Sequence, residues 1–185
     1  MSNEVVGSKK PWLKNYKLGP YNLKRTLEPY PRIPVYKFLD ESAKAYPHQV
    51  AVEYLGRRIK YEELLDHVNR LATALHKLGI GRGDRVATIL PNCPQAIMAD
   101  FAVSKAGAAL VPCSTLHKTR DLEYEIGESG AKMVICSDEA LDLVQTIREQ
   151  TKVASVVVTS PMDYSDREPQ QRNVPDVYQF KDLIA

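Results

Sequence analysis

Tyr61, Leu64, Leu65, Val68, Leu71, Ala72, Leu75 and Leu78 recur at i, i+3, i+4 and i+7. This spacing predicts a helix over 61–78 with one buried face, and Gly79 follows where a left-handed residue closes a helix. Upstream, Val35, Phe38, Leu39 and Ser42 fall at helical spacing until Tyr46-Pro47 stops them. Val50–Tyr54 and Arg57–Lys60 read as two short strands around a Leu55-Gly56 turn. Downstream, the apolar runs Arg85–Leu90, Ala109–Pro112, Met133–Cys136 and Ser155–Thr159 predict strands too short to be helices.

Amphipathic segments separate those runs. Asn92 is placed to cap a helix with Pro94 and Gln95 at its second and third positions, with Ile97, Met98, Phe101 and Ala102 as its core face and Gly107 as its end. Thr119 is placed to cap a helix over Arg120–Glu128. Ser137 should cap another, with Asp138 and Glu139 in its first turn and Leu141, Val144 and Ile147 inward. Short apolar strands alternating with amphipathic helices predict an α/β fold, a layered parallel sheet joined by right-handed crossovers with helices on both faces. Residues 161–176, rich in Pro, Asp, Arg and Gln, read as a surface loop, and Val177–Ile184 as a short terminal element.

The prolines of Pro29-Tyr-Pro-Arg-Ile-Pro34 favour an extended path. They divide the chain into an extended arm over residues 1–33 and an α/β unit over 34–185. At 185 residues and 44% apolar composition, one well-buried domain is expected. No apolar run nears the roughly 20 residues that span a bilayer, and the N-terminus lacks a secretory signal, so a cytoplasmic location is expected. The net charge of +2 divides unevenly. Residues 1–30 carry Lys9, Lys10, Lys14, Lys17, Lys24 and Arg25 against Glu4 and Glu28, interleaved with Trp12, Tyr16, Tyr21 and Tyr30. The pattern leaves open an arm packed on the body or on a second subunit, as in a homo-oligomer, and peripheral contact with an anionic membrane. A nucleic acid partner is set aside, because six basic residues make a weak field beside an acidic remainder.

Cys93, Cys113 and Cys136 are odd in number and far apart, so neither a disulfide framework nor a metal site follows, and buried thiols are expected. His48, His67, His76 and His117 lack the spacing of zinc ligands and read as surface or helix-face residues. Gly79, Gly81 and Gly83 do not form a dinucleotide loop. Their loop leaves a helix and enters a strand, the reverse of what a phosphate cradle needs. Asp84 is expected to bond backbone amides in that turn. Lys105, in the last turn of its helix, complements the helix dipole, and the small residues 106–109 let the chain turn closely into the sheet.

In order along the chain stand Ile59-Lys-Tyr-Glu-Glu-Leu64, Gly83-Asp-Arg-Val-Ala87, Pro91-Asn-Cys-Pro-Gln95, Lys105-Ala-Gly-Ala-Ala-Leu-Val-Pro112, Leu122-Glu-Tyr-Glu-Ile126 and Ser129-Gly-Ala-Lys132. Over roughly residues 34–160 this series resembles the N-terminal portion of adenylate-forming (AMP-binding) acyl-CoA synthetases, and among them the medium- and long-chain fatty-acid–CoA ligases. The resemblance implies a two-step reaction in the full-length protein. ATP and a fatty acid give an acyl-adenylate and pyrophosphate, and the CoA thiol then displaces AMP, with magnesium at the phosphates. Two positions depart from the pattern. Lys60 stands where many relatives cap with Thr or Ser, and Cys113-Ser-Thr115 stands where relatives often have Asn-Pro.

The resemblance places the Ser/Thr/Gly-rich phosphate loop, the acids that hold magnesium and ribose, and the catalytic Lys beyond the matched part. No catalytic, cofactor-binding or metal-binding residue is therefore assigned, and the chain is expected to be an incomplete ligase domain, inactive alone. Two other readings stand beside it. One is a naturally short, non-catalytic scaffold or interaction module derived from such a ligase. The other is an independent small-molecule binder with its ligand at the carboxyl ends of the strands.

Overall fold

The computed structural model describes residues 28–165 and 174–185. The chain divides into two units, Met1–Ile33 and Pro34–Ala185. Residues 1–27 of the expected arm, and 166–173 of the expected surface loop, lie outside the described residues.

The second unit runs α1 (Tyr36–Ala45), β1 (Val50–Tyr54), β2 (Arg57–Lys60), α2 (Tyr61–Lys77), β3 (Arg85–Ile89), α3 (Pro94–Lys105), β4 (Ala109–Pro112), α4 (Thr119–Ser129), β5 (Met133–Ser137), α5 (Leu141–Arg148), β6 (Ser155–Thr159), β7 (Val177–Gln179) and α6 (Phe180–Leu183). β1 and β2 form an antiparallel hairpin. The other strands form one sheet in the order β4-β3-β5-β6-β7, with every neighbouring pair parallel. From β3 the sheet grows first toward β4 and then, through β5, toward the other edge. That reversal makes the β3/β5 boundary the topological switch point of a doubly wound sheet.

Alternate strand residues face opposite layers. Val86, Met133, Ile135 and Val157 pack with Leu64, Val68, Leu71 and Leu75 of α2, Met98 and Ala102 of α3, and Phe180. Ala87, Ile89, Val134, Cys136, Val156 and Val158 pack with Leu122 and Ile126 of α4 and Leu141, Val144 and Ile147 of α5. Burial on both faces is why the central strands read as continuous apolar runs rather than as alternation. Among the described residues no helix is long and apolar enough to cross a membrane.

Three helices end in one way. At Gly79 (φ +80°), Gly107 (φ +84°) and Gly130 (φ +61°) the backbone turns left-handed. The glycine N–H bonds the carbonyl of His76, Ser104 or Gly127, and the next N–H reaches back to Leu75, Val103 or Ile126. These are Schellman closures, which satisfy the last carbonyls and aim the chain into β3, β4 and β5. The Leu55-Gly56 hairpin also forms, with both residues at positive φ as a two-residue turn requires.

Several sequence expectations are corrected. α1 buries Leu39 and Ala43, while Val35 and Phe38 are exposed, so its inward stripe is rotated from the expected one. α3 starts after Cys93, not Asn92, and Asn92 is exposed. Its most buried face is Met98, Ala99, Ala102 and Val103, with Ile97 and Phe101 only half-buried. Thr119 is the first residue of α4 rather than its cap, and the Asp121 carboxylate closes that end by accepting from the Lys118 amide at 3.2 Å. Ser137 makes no capping bond. A 3-10 turn over Asp138–Ala140 precedes α5, where Asp138 accepts from the Glu139 amide at 3.0 Å. The start of the expected surface loop is a 3-10 turn over Pro161–Tyr164 with Tyr164 buried.

Candidate functional site

In open parallel sheets ligands gather at the carboxyl ends of the strands, beside the switch point. Here that crest is formed by Leu90–Gln95 after β3, Cys113-Ser114-Thr115 after β4, Ser137-Asp138 at the end of β5 and Thr159-Ser160 at the end of β6. The buried polar side chains concentrate there: Thr88, Gln95, Ser137, Thr159 and Ser160. Ser137 and Thr159 are register partners on neighbouring strands. By alternation from Ile135 and Val157, both face the α3 layer.

Gln95 is fully buried and joins α3 to the end of β6. Its Nε2 donates to the Thr159 hydroxyl at 3.1 Å and to the Ser160 carbonyl at 2.7 Å. The Thr159 hydroxyl donates onward to Asp163 at 3.0 Å, and the same carboxylate accepts from the Ser160 amide at 3.1 Å. Gln95 Oε1 has no partner among the described residues. Sequence reasoning placed Gln95 as a capping residue and missed this strut. The readable signal was Ser160-Pro-Met-Asp163, a capping-box spacing directly after an apolar strand.

The motifs that carry the family resemblance lie mostly at the other end of the sheet. The Arg85 guanidinium donates to the carbonyls of Gly83 (2.6 Å), Ser129 (2.7 Å) and Gly130 (2.9 Å). It thereby sets a cation on the free carbonyls at the end of α4, where the helix dipole is negative. Lys132 pairs with Asp84, and Asp84 accepts from the Gly81 amide at 3.0 Å, as expected for this turn. The Lys132 contact first and the Gly81 amide second hold the Asp84 carboxyl below its ordinary range. Gly83-Asp84-Arg85 and Ser129–Lys132 are thus one joint at the amino ends of β3 and β5.

Lys105 is also structural. Its ammonium meets Asp40 at 2.6 Å and lies 5.5 Å from the Tyr36 ring centroid, tying α3 to α1. Burial pushes the Asp40 carboxyl up, but the bonds from Lys105 and Lys37 outweigh it and the net shift is downward. At the start of α2, Lys60 makes no side-chain cap. The carbonyls of Gln49 and Pro47 take the amides of Tyr61 and Glu62 instead, so the loop before β1 supplies what a Ser or Thr would have.

The three cysteines are buried and free. Burial pushes the Cys113 and Cys136 thiols up to about 12 and raises Cys93. His48 and His76 are exposed, and His117 and His67 half-buried. His67 Nδ1 lies 3.2 Å from the Tyr164 hydroxyl. Burial first, then the charges of Arg57 and Arg70, lower the His67 pKa against the opposing pull of Glu63 and Asp66. The folded state then resists a proton that the unfolded chain accepts near pH 6.5, so stability should fall as pH drops through that value. Urea midpoints between pH 7.5 and 5.5 check this. The decline should flatten in His67→Gln, and an unchanged decline there would refute the assignment.

Among the described residues, none is assigned to ATP, magnesium or CoA. At the start of α3 the Ala96 amide bonds the Cys93 carbonyl at 3.1 Å, and the Cys93 side chain makes no cap. Among the described residues no trio of His, Cys, Asp or Glu is grouped to hold a metal.

Comparison with known proteins agrees with the motifs. The chain is 30% identical over 157 residues to a long-chain-fatty-acid–CoA ligase of Bacillus subtilis, a match covering 85% of this chain and 27% of that enzyme. Its fold is shared with an anthranilate CoA ligase solved with anthranoyl-AMP (TM-score 0.72, 22% identity, 82% of this chain and 28% of that one). A benzoate CoA ligase of Burkholderia xenovorans also matches (TM-score 0.70, 21% identity, 82% and 28%). The chain therefore spans about a quarter of the length of the relatives it matches. Residues 39–181 match the family described as AMP-binding enzyme, and the chain belongs to that family.

Proposed function

We propose that this chain is the N-terminal part of an ATP-dependent, AMP-forming fatty acyl-CoA ligase and does not catalyse the reaction alone. The observation that carries the reading is the 30% identity to a long-chain-fatty-acid–CoA ligase of which the chain spans only 27%. In the whole enzyme a carboxylate oxygen attacks the α-phosphorus of ATP and expels pyrophosphate. The CoA thiol then attacks the acyl carbon, loses its proton and releases AMP. ATP, CoA and magnesium supply the phosphoryl and thioester chemistry when bound.

The chain's own part is architectural. The joint of Arg85 with Gly130 and of Asp84 with Lys132 fixes the amino ends of β3 and β5. The Gln95–Thr159–Asp163 network fixes the carboxyl crest, which would form one wall of a larger cleft. A pyrophosphate-release assay on the 185-residue chain with ATP, a fatty acid and CoA should match a boiled control, and turnover well above it would overturn the inactivity. Reading the coding sequence past the Ala185 codon tests the parentage. A Thr/Ser-Gly-rich loop followed by Pro-Lys-Gly is expected, and a stop codon there would favour the non-catalytic scaffold instead.

A further inference from the structure

At the carboxyl end of β6, where Thr159 and Asp163 end the crest, a pocket of about 240 Å³ is lined also by Arg57, His67, Tyr164, Lys181 and the buried ring of Phe180. Four ionisable side chains and a phenol converge there from four separate segments: β2, α2, the 3-10 turn after β6, and α6. Their existing bonds decide what remains free. Glu63 holds one nitrogen of Arg57 at 2.7 Å, while the guanidinium carbon lies 5.3 Å from the Tyr164 ring centroid. That stacking, a cation over a ring face, fixes the plane of the fork without using its remaining N–H groups.

The Tyr164 hydroxyl has His67 Nδ1 at 3.2 Å and Met98 Sδ at 3.5 Å. Burial raises the Tyr164 pKa and lowers that of His67, so near neutral pH the phenol keeps its proton and the imidazole is uncharged. With the ring proton on Nε2, Nδ1 accepts from the phenol, whose one O–H is shared between Nδ1 and the Met98 sulfur. Asp163 is the one carboxylate side chain in the lining, and its Oδ2 is committed to the Thr159 hydroxyl and the Ser160 amide, while Oδ1 is not. Lys181 makes no ion pair among the described residues. Beside the second oxygen of Asp163, the uncommitted groups are therefore an ammonium, a guanidinium edge and an imidazole nitrogen, so donors outnumber the one acceptor and two of them are cationic.

We propose that this pocket is a phosphate subsite, with the phosphate group held between Lys181, the free edge of Arg57 and the Nε2–H of His67. A tetrahedral dianion can accept from three donors arriving along different directions, whereas a planar carboxylate presents only two oxygens. The free ion and the end of a monoester present the same oxygens to these donors. This assignment is independent of the ligase reading, because it rests on the lining of this pocket and its test reads phosphate binding rather than ligation.

The test is a titration with inorganic phosphate at constant ionic strength, following the His67 ring resonances by NMR and assigning them with His67→Gln. A saturable shift is expected, with the His67 pKa raised by the bound anion. Lys181→Gln, a change at a half-buried position checked for folding by circular dichroism, should weaken binding about tenfold, the ordinary loss for one charge-assisted bond. Glycerol phosphate binding as well as inorganic phosphate would assign a monoester, and inorganic phosphate alone would assign the free ion. The proposal is overturned if the shift follows salt without saturating, if acetate shifts His67 as strongly as phosphate, or if Lys181→Gln binds as tightly as the parent.

Discussion

Replacing Arg85 with Ala should destabilise the protein by about 2–4 kcal/mol, because one cation serves two carbonyls at the end of α4 and a third in the turn before β3. The bonds to Gly83, Ser129 and Gly130 are 2.6–2.9 Å long, and the site is only partly buried, which keeps the loss below the sum of three fully desolvated charged bonds. Gly130→Ala should cost about 1–3 kcal/mol by two routes. Its φ of +61° strains any L side chain, and the new Cβ would sit 2.6 Å from Arg85 Nη2. The guanidinium can retreat from that contact, but only by leaving the carbonyls it caps. In the Arg85→Ala background the second route vanishes, so Gly130→Ala should then cost about 1 kcal/mol, the left-handed strain alone. Urea denaturation of the two single variants and the double variant measures the coupling. Strict additivity would mean that the two residues do not share one joint.

The motifs easiest to recognise in the chain are those of this joint, and that limits what they say about chemistry. Gly83-Asp84-Arg85 and Ser129–Lys132 are legible because each residue type is demanded locally: a left-handed turn, an amide acceptor, a helix-end cation. They sit at the amino ends of β3 and β5, where they hold the scaffold together. The strands and α2 were equally legible, since a two-sided buried sheet and a 17-residue amphipathic helix leave strong periods. α5 showed its inward face, Leu141, Val144 and Ile147, for the same reason.

What was not legible depends on neighbours distant in sequence. Val35 and Phe38 share the helical spacing of Leu39, yet only Leu39 meets the core, and nothing within α1 distinguishes them. The polar sequence around Tyr164 suggested a surface loop, but the aromatic ring is drawn inward to His67 and Met98, residues 97 and 66 positions away. Gln95 was misplaced for a similar reason. A Gln in the first turn of a helix is a familiar capping partner, and only the approach of β6, 64 positions on, converts it into a buried strut.

That strut makes the second strong prediction. Gln95→Ala should cost about 3–5 kcal/mol, since it leaves a cavity in a fully buried site and strips the Ser160 carbonyl of its donor. Gln95→Leu should cost less, about 1–2 kcal/mol. It fills most of the volume and removes Oε1, which already has no partner, so part of the lost bonding is offset by relief of an unsatisfied acceptor. Both variants should also speed hydrogen exchange at the Ser160 and Asp163 amides, because the 3-10 turn after β6 would lose its tie to α3 while the strands keep theirs. Equal losses for Ala and Leu would show that Oε1 is satisfied by an ordered water, and that the polar pair is held for its bonds rather than its bulk. The crest would then be a hydrated, prebuilt edge, the kind of surface onto which the remainder of a ligase cleft could close without reorganising it.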